Sequence, residues 1–252
     1  MSMNSGDQTT VLRLSGLEAD RGLFHLGPVN LDLEAQKMLC VVGPNGAGKT
    51  TLLDLVTGDL CPSAGHIHFE GARLMYRSHE HLHRMGLVPD DPGVLIDELT
   101  AAEYWRLVAN VHAGRDRTAA HQIAERALEH AAELHLERSG QMIATFSHGM
   151  RKKTQIAAAF AHQPSLLVID ELRNGLDPIA SRRAEQLVER ARAGGAAILL
   201  ATHDLYWAER FADTLVVLSG GRVVAQGPIN EVKLASEASL EDAFFRLVDA
   251  RP

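Results

Sequence analysis

A glycine-rich segment that ends in lysine and threonine, GPNGAGKT at residues 43–50, has the residue types and spacing of a phosphate-binding loop. It follows the apolar run Met38–Val42, which predicts a buried strand, and precedes leucines at helical spacing. Glycines permit backbone turns that direct successive N–H groups at phosphate oxygens. We therefore expect Lys49 to reach the β and γ phosphates of a nucleotide and the Thr50 hydroxyl to ligate Mg²⁺.

A second apolar run, LLVIDE at residues 166–171, ends in two carboxylates. Carboxylates at the end of a buried strand are costly unless a cation or hydrogen-bond donors face them. The Mg²⁺ expected at the phosphate loop could be that cation. Asp170 is predicted to hold Mg²⁺ through its water shell, and Glu171 to orient or deprotonate the water that attacks the γ phosphate.

Three further segments accompany these motifs, namely TFSHGMRKK at 145–153, NGLDP at 174–178 and ATHD at 201–204. In order and spacing the five segments resemble the ATP-binding cassette (ABC) family over nearly the whole chain. They correspond to its phosphate loop, signature motif, acidic strand, dimer-facing aspartate loop and switch histidine. The resemblance implies ATP and Mg²⁺ as ligands and ATP hydrolysis as the activity.

The resemblance also implies that two chains pack head to tail around ATP, as a homodimer or a heterodimer. Ser147 begins a helix, where N–H groups and the helix dipole favour anions, so it would supply a second phosphate-binding surface. His203 would contact the γ phosphate or the attacking water, and Asp177 would bridge to the opposite chain. The implied nucleotide contacts are Gly43, Pro44, Asn45, Gly46, Ala47, Gly48, Lys49, Thr50, Thr51, Ser147, Gly149 and Asp177.

The sequence departs from the family pattern at several positions. His148 replaces the first of two glycines in the signature, and Leu172-Arg173 replaces the usual Pro-Thr. Asp90 stands where a glutamine normally follows the strand, and as a carboxylate it could still ligate Mg²⁺, through a water because of its shorter reach. The aromatic residue that stacks on adenine is missing near Asp20-Arg21, where Phe24 or the Arg21 guanidinium could substitute.

Two basic or histidine-rich segments allow alternative interpretations. His79, His81 and His83 alternate and could suggest a metal site, but a surface helix or loop is the favoured interpretation. The run Arg151–Lys153 could suggest a nucleic-acid contact, but we interpret it as a solvated first turn of the signature helix.

The elements that must position these residues alternate between strands and helices. Strands are predicted at residues 11–14, 29–33, 38–42, 65–69, 166–170, 197–201, 215–218 and 222–226, and helices at 101–111, 118–132, 151–161, 180–193 and 239–248. The predicted fold is α/β, a P-loop NTPase core with a mostly parallel sheet, an N-terminal antiparallel β subdomain and a helical subdomain bearing the signature motif. We expect a flexible tail at 1–10 and one ABC ATPase domain at 11–252, with the helical subdomain at about 92–163.

Composition excludes several classes of protein. Hydrophobic residues at 46% and charged residues at 23% are typical of a globular chain. With 25 Lys and Arg against 32 Asp and Glu, the net charge of −7 argues against nucleic acid as a partner. Apolar runs are shorter than the ~20 residues of a membrane-spanning helix, and Cys40 and Cys61 lie in no disulfide or zinc pattern.

The favoured function is therefore the ATPase subunit of a membrane transporter that works with a separate transmembrane permease. The signature Ser-His-Gly-Met and the closing SLEDAFFRLV resemble exporters. We expect a cytoplasmic protein, peripheral at the inner face of the cell membrane. The alternatives are a soluble ABC ATPase without a transport role and a nucleotide-binding module that has lost hydrolysis.

Overall fold

The computed structural model describes residues 10–76, 81–233 and 239–249. The chain divides into two compact units, residues 1–81 with 197–252 and residues 82–196. Of the predicted tail at 1–10, only Thr10 is among the described residues, and it begins the first strand.

The described residues form ten strands and eight α-helices. In chain order the strands are β1 Thr10–Arg21, β2 Phe24–Glu34, β3 Met38–Val42, β4 Ala64–Phe69, β5 Ala72–Arg73, β6 Met85–Val88, β7 Leu166–Asp170, β8 Ala197–Thr202, β9 Thr214–Ser219 and β10 Arg222–Pro228. The α-helices are α1 Lys49–Thr57, α2 Ala101–Ala113, α3 Arg117–Glu133, α4 His148–Ala161, α5 Pro178–Ala193, α6 Leu205–Phe211, α7 Ile229–Val232 and α8 Leu240–Asp249.

The first unit contains two sets of paired strands. β3 lies between β8 and β9 and is parallel to both, while β10 pairs antiparallel with β9. Every residue of β3 and β8 is buried, which is why their sequences are apolar without alternation. β1 pairs antiparallel with β2 and β4, as predicted for the N-terminal subdomain.

The second unit combines a parallel pair of strands, β6 and β7, with helices α2 to α5. Trp105 of α2 is 2% exposed, and its indole N–H donates to the Thr154 carbonyl oxygen of α4 at 3.1 Å. Around it, small and aliphatic side chains of α2, α3 and α4 form one buried cluster. The predicted helices of this region are confirmed, with bounds that differ by one to three residues.

Several local expectations have structural outcomes. His81 lies in a turn and His83 in a 3-10 helix at Leu82–Arg84, as expected for a loop or helix, while His79 is outside the described residues. The closing amphipathic helix is confirmed as α8, with Ala243 buried and Phe245 exposed. Across the described residues, the helices are too short or too polar to cross a lipid bilayer.

Candidate functional site: a glycine loop in one unit and two acidic segments in the other

The glycine loop connects β3 to α1 in the first unit. Gly46 and Gly48 have φ of 78° and 107°, in the left-handed region that favours glycine. Gly48 is also the N-cap of α1 and provides no side chain to accept from the first-turn N–H groups. Those donors therefore face an anion-binding position of the kind that phosphates occupy at helix N-termini.

Close contacts at two positions of the loop, Gly43 and Gly48, leave no room for a Cβ. A Cβ at Gly43 would lie 2.3 Å from the Leu218 carbonyl oxygen, and one at Gly48 would lie 2.9 Å from Phe24 Cζ. The Gly221 N–H donates to the Ala47 carbonyl oxygen at 3.0 Å. Phe24, one of the two predicted substitutes for an adenine-stacking aromatic, thus packs against the loop. The other, Arg21, contacts Asp54 at 3.4 Å.

Lys49 folds back over the loop that precedes it. Its ammonium donates to the carbonyl oxygens of Gly43 at 2.8 Å and Pro44 at 3.3 Å. Thr50 is exposed at the start of α1, while Thr51 is buried. These N–H donors, ammonium and hydroxyl fit the phosphates of a nucleotide. No group of three His, Cys, Asp or Glu residues among those the structure describes could hold a metal ion alone, so Mg²⁺ would need phosphate oxygens as further ligands.

His203 lies in the short turn between β8 and α6 and is exposed. The turn is fixed by its neighbours: the Asp204 N–H donates to Thr202 Oγ1 at 3.0 Å, and Asp204 caps α6 by accepting from the Trp207 N–H at 2.9 Å. Because both flanking residues are held, the histidine is presented from a rigid support.

The two acidic residues predicted to act in hydrolysis end β7 in the second unit. Asp170 is 6% exposed, and Glu171 is partly buried with φ of 50°. A left-handed conformation is rare for a residue with a Cβ, and such strain concentrates at functional positions. This backbone conformation ends β7 directly after Asp170.

Lys152 corrects one of the sequence predictions. The run Arg151–Lys153 was predicted to be solvated, but Lys152 is 0% and Lys153 8% exposed, and the Arg151 side chain is only 16% exposed. The Lys152 ammonium donates to the carbonyl oxygens of Pro89 at 2.7 Å and Asp170 at 3.0 Å. Burial lowers the pKa of Lys152 to about 8, and nearby carboxylates oppose that shift.

Asp90 is held between the end of β6 and the segment after β7. Its Oδ1 accepts from the Asn174 side-chain amide at 2.7 Å. The next residue, Asp91, accepts at its carbonyl oxygen from Gln155 of α4 at 3.0 Å. Asp90 therefore has a fixed carboxylate, although its role in metal binding stays a prediction.

The signature motif begins α4 as predicted. Ser147 is the N-cap, and its side chain accepts from the Met150 N–H at 3.3 Å. A Cβ at Gly149 would lie 2.5 Å from the Gly175 carbonyl oxygen, so this glycine is required by a close approach of backbone. The His148 imidazole packs on Gly175, since a Cβ at Gly175 would lie 2.0 Å from its Cδ2. The first signature position, by contrast, accommodates a side chain.

Asp177 caps helix α5 in this structure. Its carboxylate accepts from the N–H groups of Ile179 at 3.0 Å and Ala180 at 2.8 Å, and pairs with Lys153 at 3.2 Å. The hydrogen bond from Ala180, followed by the Lys153 ammonium, holds the pKa of Asp177 below its ordinary value. The carboxylate is thus held in place within the chain, and its contact with an opposite chain stays a prediction.

Three residues were missed by sequence reasoning, namely Lys152, Gln155 and Asn174. All three hold the segment that contains Asp90 or the end of β7. The helical period gave one usable signal: Lys152 is four residues before Ile156 and eight before Phe160, which are both buried. A lysine on the buried face of a helix requires partners.

Comparisons with known proteins agree with this architecture. A family model described as ABC transporter matches residues 26–174. A Nod factor export ATP-binding protein from Cupriavidus metallidurans is 33% identical over 82% of this chain and 68% of its own length. A hemin import ATP-binding protein from Bradyrhizobium diazoefficiens is 34% identical over 87% of this chain and 82% of its own. A solved structure of an ATP-binding subunit of an ABC transporter has a TM-score of 0.86 and 33% identity over 94% of this chain and 99% of that one.

The fold and the motifs thus define a nucleotide-binding subunit of the ABC transporter class. The chain belongs to the ABC transporter family. The predicted family and fold class are confirmed. The similar proteins include one named for export and one named for import, so the comparisons do not give a direction of transport.

Proposed function

We propose that this chain hydrolyses ATP to drive export through a separate permease chain, and that two copies, or one copy and a related subunit, close around two ATP molecules. The observation that carries the proposal is the presence of two helix starts whose N–H groups could bind phosphate: α1 behind the glycine loop and α4 behind Ser147. In a head-to-tail pair, the first would bind the phosphates of one ATP and the second would cover them.

In this proposal the residues predicted to act on phosphate, metal and water have the following roles. Lys49 would neutralise phosphate charge, Thr50 and Asp170 would hold Mg²⁺, and Asp90 would contribute through a water. Glu171 accepts a proton from the attacking water, and His203 orients that water or the γ phosphate. When bound, Mg²⁺ would supply charge neutralisation at the β and γ phosphates.

The segment of residues 90–98 is the proposed contact for the permease. Val94 and Ile96 are 59% and 39% exposed there and could contact an apolar surface of the permease. The segment is joined to α4 near both ends, by the hydrogen bond from Gln155 to the Asp91 carbonyl oxygen and by the ion pair of Arg151 with Asp97. An apolar helix of a permease could thus move a segment that also holds Asp90.

Export is the proposed direction because Ser-His-Gly-Met and the helix α8 resemble exporters. The permease would place the chain at the cytoplasmic face of the membrane. We also propose residues 11–252 as one ABC ATPase domain, with its helical subdomain at about 92–163. Vesicles reconstituted with the permease would test direction: ATP-dependent uptake toward the side that contains this chain would contradict export.

The test of hydrolysis compares the wild type with Glu171→Gln, with Glu125→Gln as a matched control. Glu125 is exposed on α3, where its carboxylate lies 3.2 Å from His121 Nε2. We expect slow turnover by the wild type and the control, loss of turnover in Glu171→Gln, and a dimer of that variant that forms only with ATP. A wild type that binds ATP without turnover would favour the hydrolysis-impaired alternative instead.

A further inference from the structure

Lys152 joins two segments that the proposed reaction uses. It projects from α4, is completely buried, and donates to the carbonyl oxygens of Pro89 and Asp170. Pro89 precedes Asp90, and Asp170 precedes Glu171. One ammonium thus fixes the backbone beside both of these carboxylates.

The Lys152 side chain is 0% exposed, so bulk water cannot solvate its ammonium, and nearby protein groups must stabilise the charge. Asp90, Asp170 and Glu171 are all within electrostatic reach of the ammonium. Carboxylates that act on one ammonium also repel one another, and the buried cation offsets that repulsion. The Asn174 amide adds a donor to Asp90 at 2.7 Å, so the segment is held by both a charge and hydrogen bonds.

We propose that Lys152 is a positioning residue for ATP hydrolysis, which holds the segment of Asp90 and the turn of Glu171 in one arrangement and offsets the charge of their carboxylates. The proposal rests on the proposed function, and deepens it. Through Lys152, a movement of residues 90–98 would be transmitted to the backbone beside Glu171. The glycine loop, which lies in the other unit, would bind nucleotide without its help.

The test is a double-variant cycle of Lys152→Met with Asp90→Asn. Lys152→Met keeps the length of the side chain but removes the charge and its donors. Asp90→Asn removes a negative charge and keeps the oxygen that accepts from Asn174. We expect kcat of Lys152→Met to fall roughly ten- to hundredfold, as when a supporting residue behind a catalytic group is lost. The KM for ATP should be unchanged, and Lys152→Met should lower kcat by a smaller factor in the Asp90→Asn background than in the wild type.

Two measures separate positioning from folding. Turnover is divided by the stoichiometry of bound fluorescent ATP analogue, so that unfolded protein does not count. Arg126→Met is the matched control: Arg126 donates its Nε–H to the Ala161 carbonyl oxygen at 2.6 Å, at the other end of α4, and its loss should leave kcat unchanged. Lys152→Gln, which keeps an amide donor but not the charge, is the second variant. We expect the same changes in kcat and KM as for Lys152→Met.

Equal turnover in the wild type and both Lys152 variants would overturn the proposal, and so would an additive loss in the double variant. Failure of both variants to fold would show a structural lysine and would overturn it as well. If the wild type itself binds ATP but shows no turnover, the proposed function fails first. Active wild type with unaffected variants contradicts only the role of Lys152.

Discussion

Gly46 and Gly48 are both left-handed, but they differ in what surrounds them. A Cβ at Gly46 meets open space, whereas one at Gly48 would lie 2.9 Å from Phe24 Cζ and 3.0 Å from Leu26 Cδ1. We expect Gly46→Ala to lower the free energy of unfolding by about 1 kcal/mol through backbone strain alone. Gly48→Ala should lower the free energy of unfolding further, by about 2–3 kcal/mol, because the Phe24 ring must move. The same movement should weaken nucleotide binding. Thermal unfolding and titration with a fluorescent ATP analogue would check this order. Equal effects of the two variants would contradict the steric argument.

The residues of the glycine loop were predictable because their pattern is local. A strand, six loop residues, a lysine and a helix follow each other directly, and this order can be recognised from the sequence alone. The close approaches of Leu218 to Gly43 and of Phe24 to Gly48 come from distant segments and were not predictable.

Lys152 was not predictable in this way. Its acceptor at Pro89 is 63 residues away, and that at Asp170 is 18 residues away. The helical spacing of Lys152 from Ile156 and Phe160 indicated a buried face, but only the folded chain shows its two acceptors. A basic run is otherwise typical of a solvated helix turn.

At the scale of elements, helix α2 begins with a reciprocal cap. Thr100 Oγ1 accepts from the Glu103 N–H at 3.2 Å, and Glu103 Oε2 accepts from the Thr100 N–H at 2.8 Å. We expect Thr100→Ala to lower the free energy of unfolding by about 1 kcal/mol, the usual loss for a removed N-cap. Thr118→Ala is the control, because Thr118 lies in the first turn of α3 and uses only its backbone N–H in the cap by Asp116. Urea unfolding of the two variants would show no difference if the cap were unimportant.

Helices α2 and α4 also meet at a stacked pair, His112 and His162, with ring centroids 3.7 Å apart. Burial, reinforced by His112, lowers the pKa of His162 to about 4 from 6.5, and burial also lowers that of His112. As the pH falls below 6.5, these histidines are still neutral in the folded state but become protonated in the unfolded state. Their contribution to the free energy of unfolding is therefore fully present above pH 6.5 and is lost as the pH falls toward 4. His162 accounts for roughly 1–3 kcal/mol of this loss.

The variant His162→Gln, which keeps a donor for the Met85 carbonyl oxygen, tests this dependence. We expect a smaller difference between its free energies of unfolding at about pH 7.5 and about pH 5 than in the wild type. The slope will not vanish, because burial lowers the pKa of His130 as well. His121→Gln, an exposed histidine on α3, should keep the slope of the wild type. If His162→Gln lowered the free energy of unfolding by the same amount at both pH values, packing and not titration would account for its effect.

The pattern of strands and helices was predictable because buried strands and amphipathic helices differ in period. β3 and β8 are unbroken apolar runs, whereas the apolar residues of α8 have the spacing of an amphipathic helix. The short helices α6 and α7 were not predicted, since four to seven residues are too few for a period to appear. The division of the chain into residues 82–196 and the remainder was not predicted either, because it depends on contacts between distant segments.

At the scale of the whole molecule, the proposed dimer places the glycine loop of one copy against the signature of the other. This arrangement makes a prediction for mixtures of inactive variants. Lys49→Ala disables the loop, and Ser147→Arg disables the start of α4 by adding bulk and charge at an exposed N-cap. Each variant alone should lack turnover. A mixed dimer, however, retains one site with an intact Lys49 from one copy and an intact Ser147 from the other.

We therefore expect ATPase activity to return when the two purified variants are mixed, measured as phosphate release against the concentration of the second variant. The control mixes Lys49→Ala with a double variant that carries both substitutions, because no pairing of those chains contains an intact site. If each site were built within one copy, every chain in the first mixture would have a defective site and activity would not return. Recovery in the first mixture alone is thus the outcome that requires a site shared between two copies, and equal silence of both mixtures would contradict the proposed dimer.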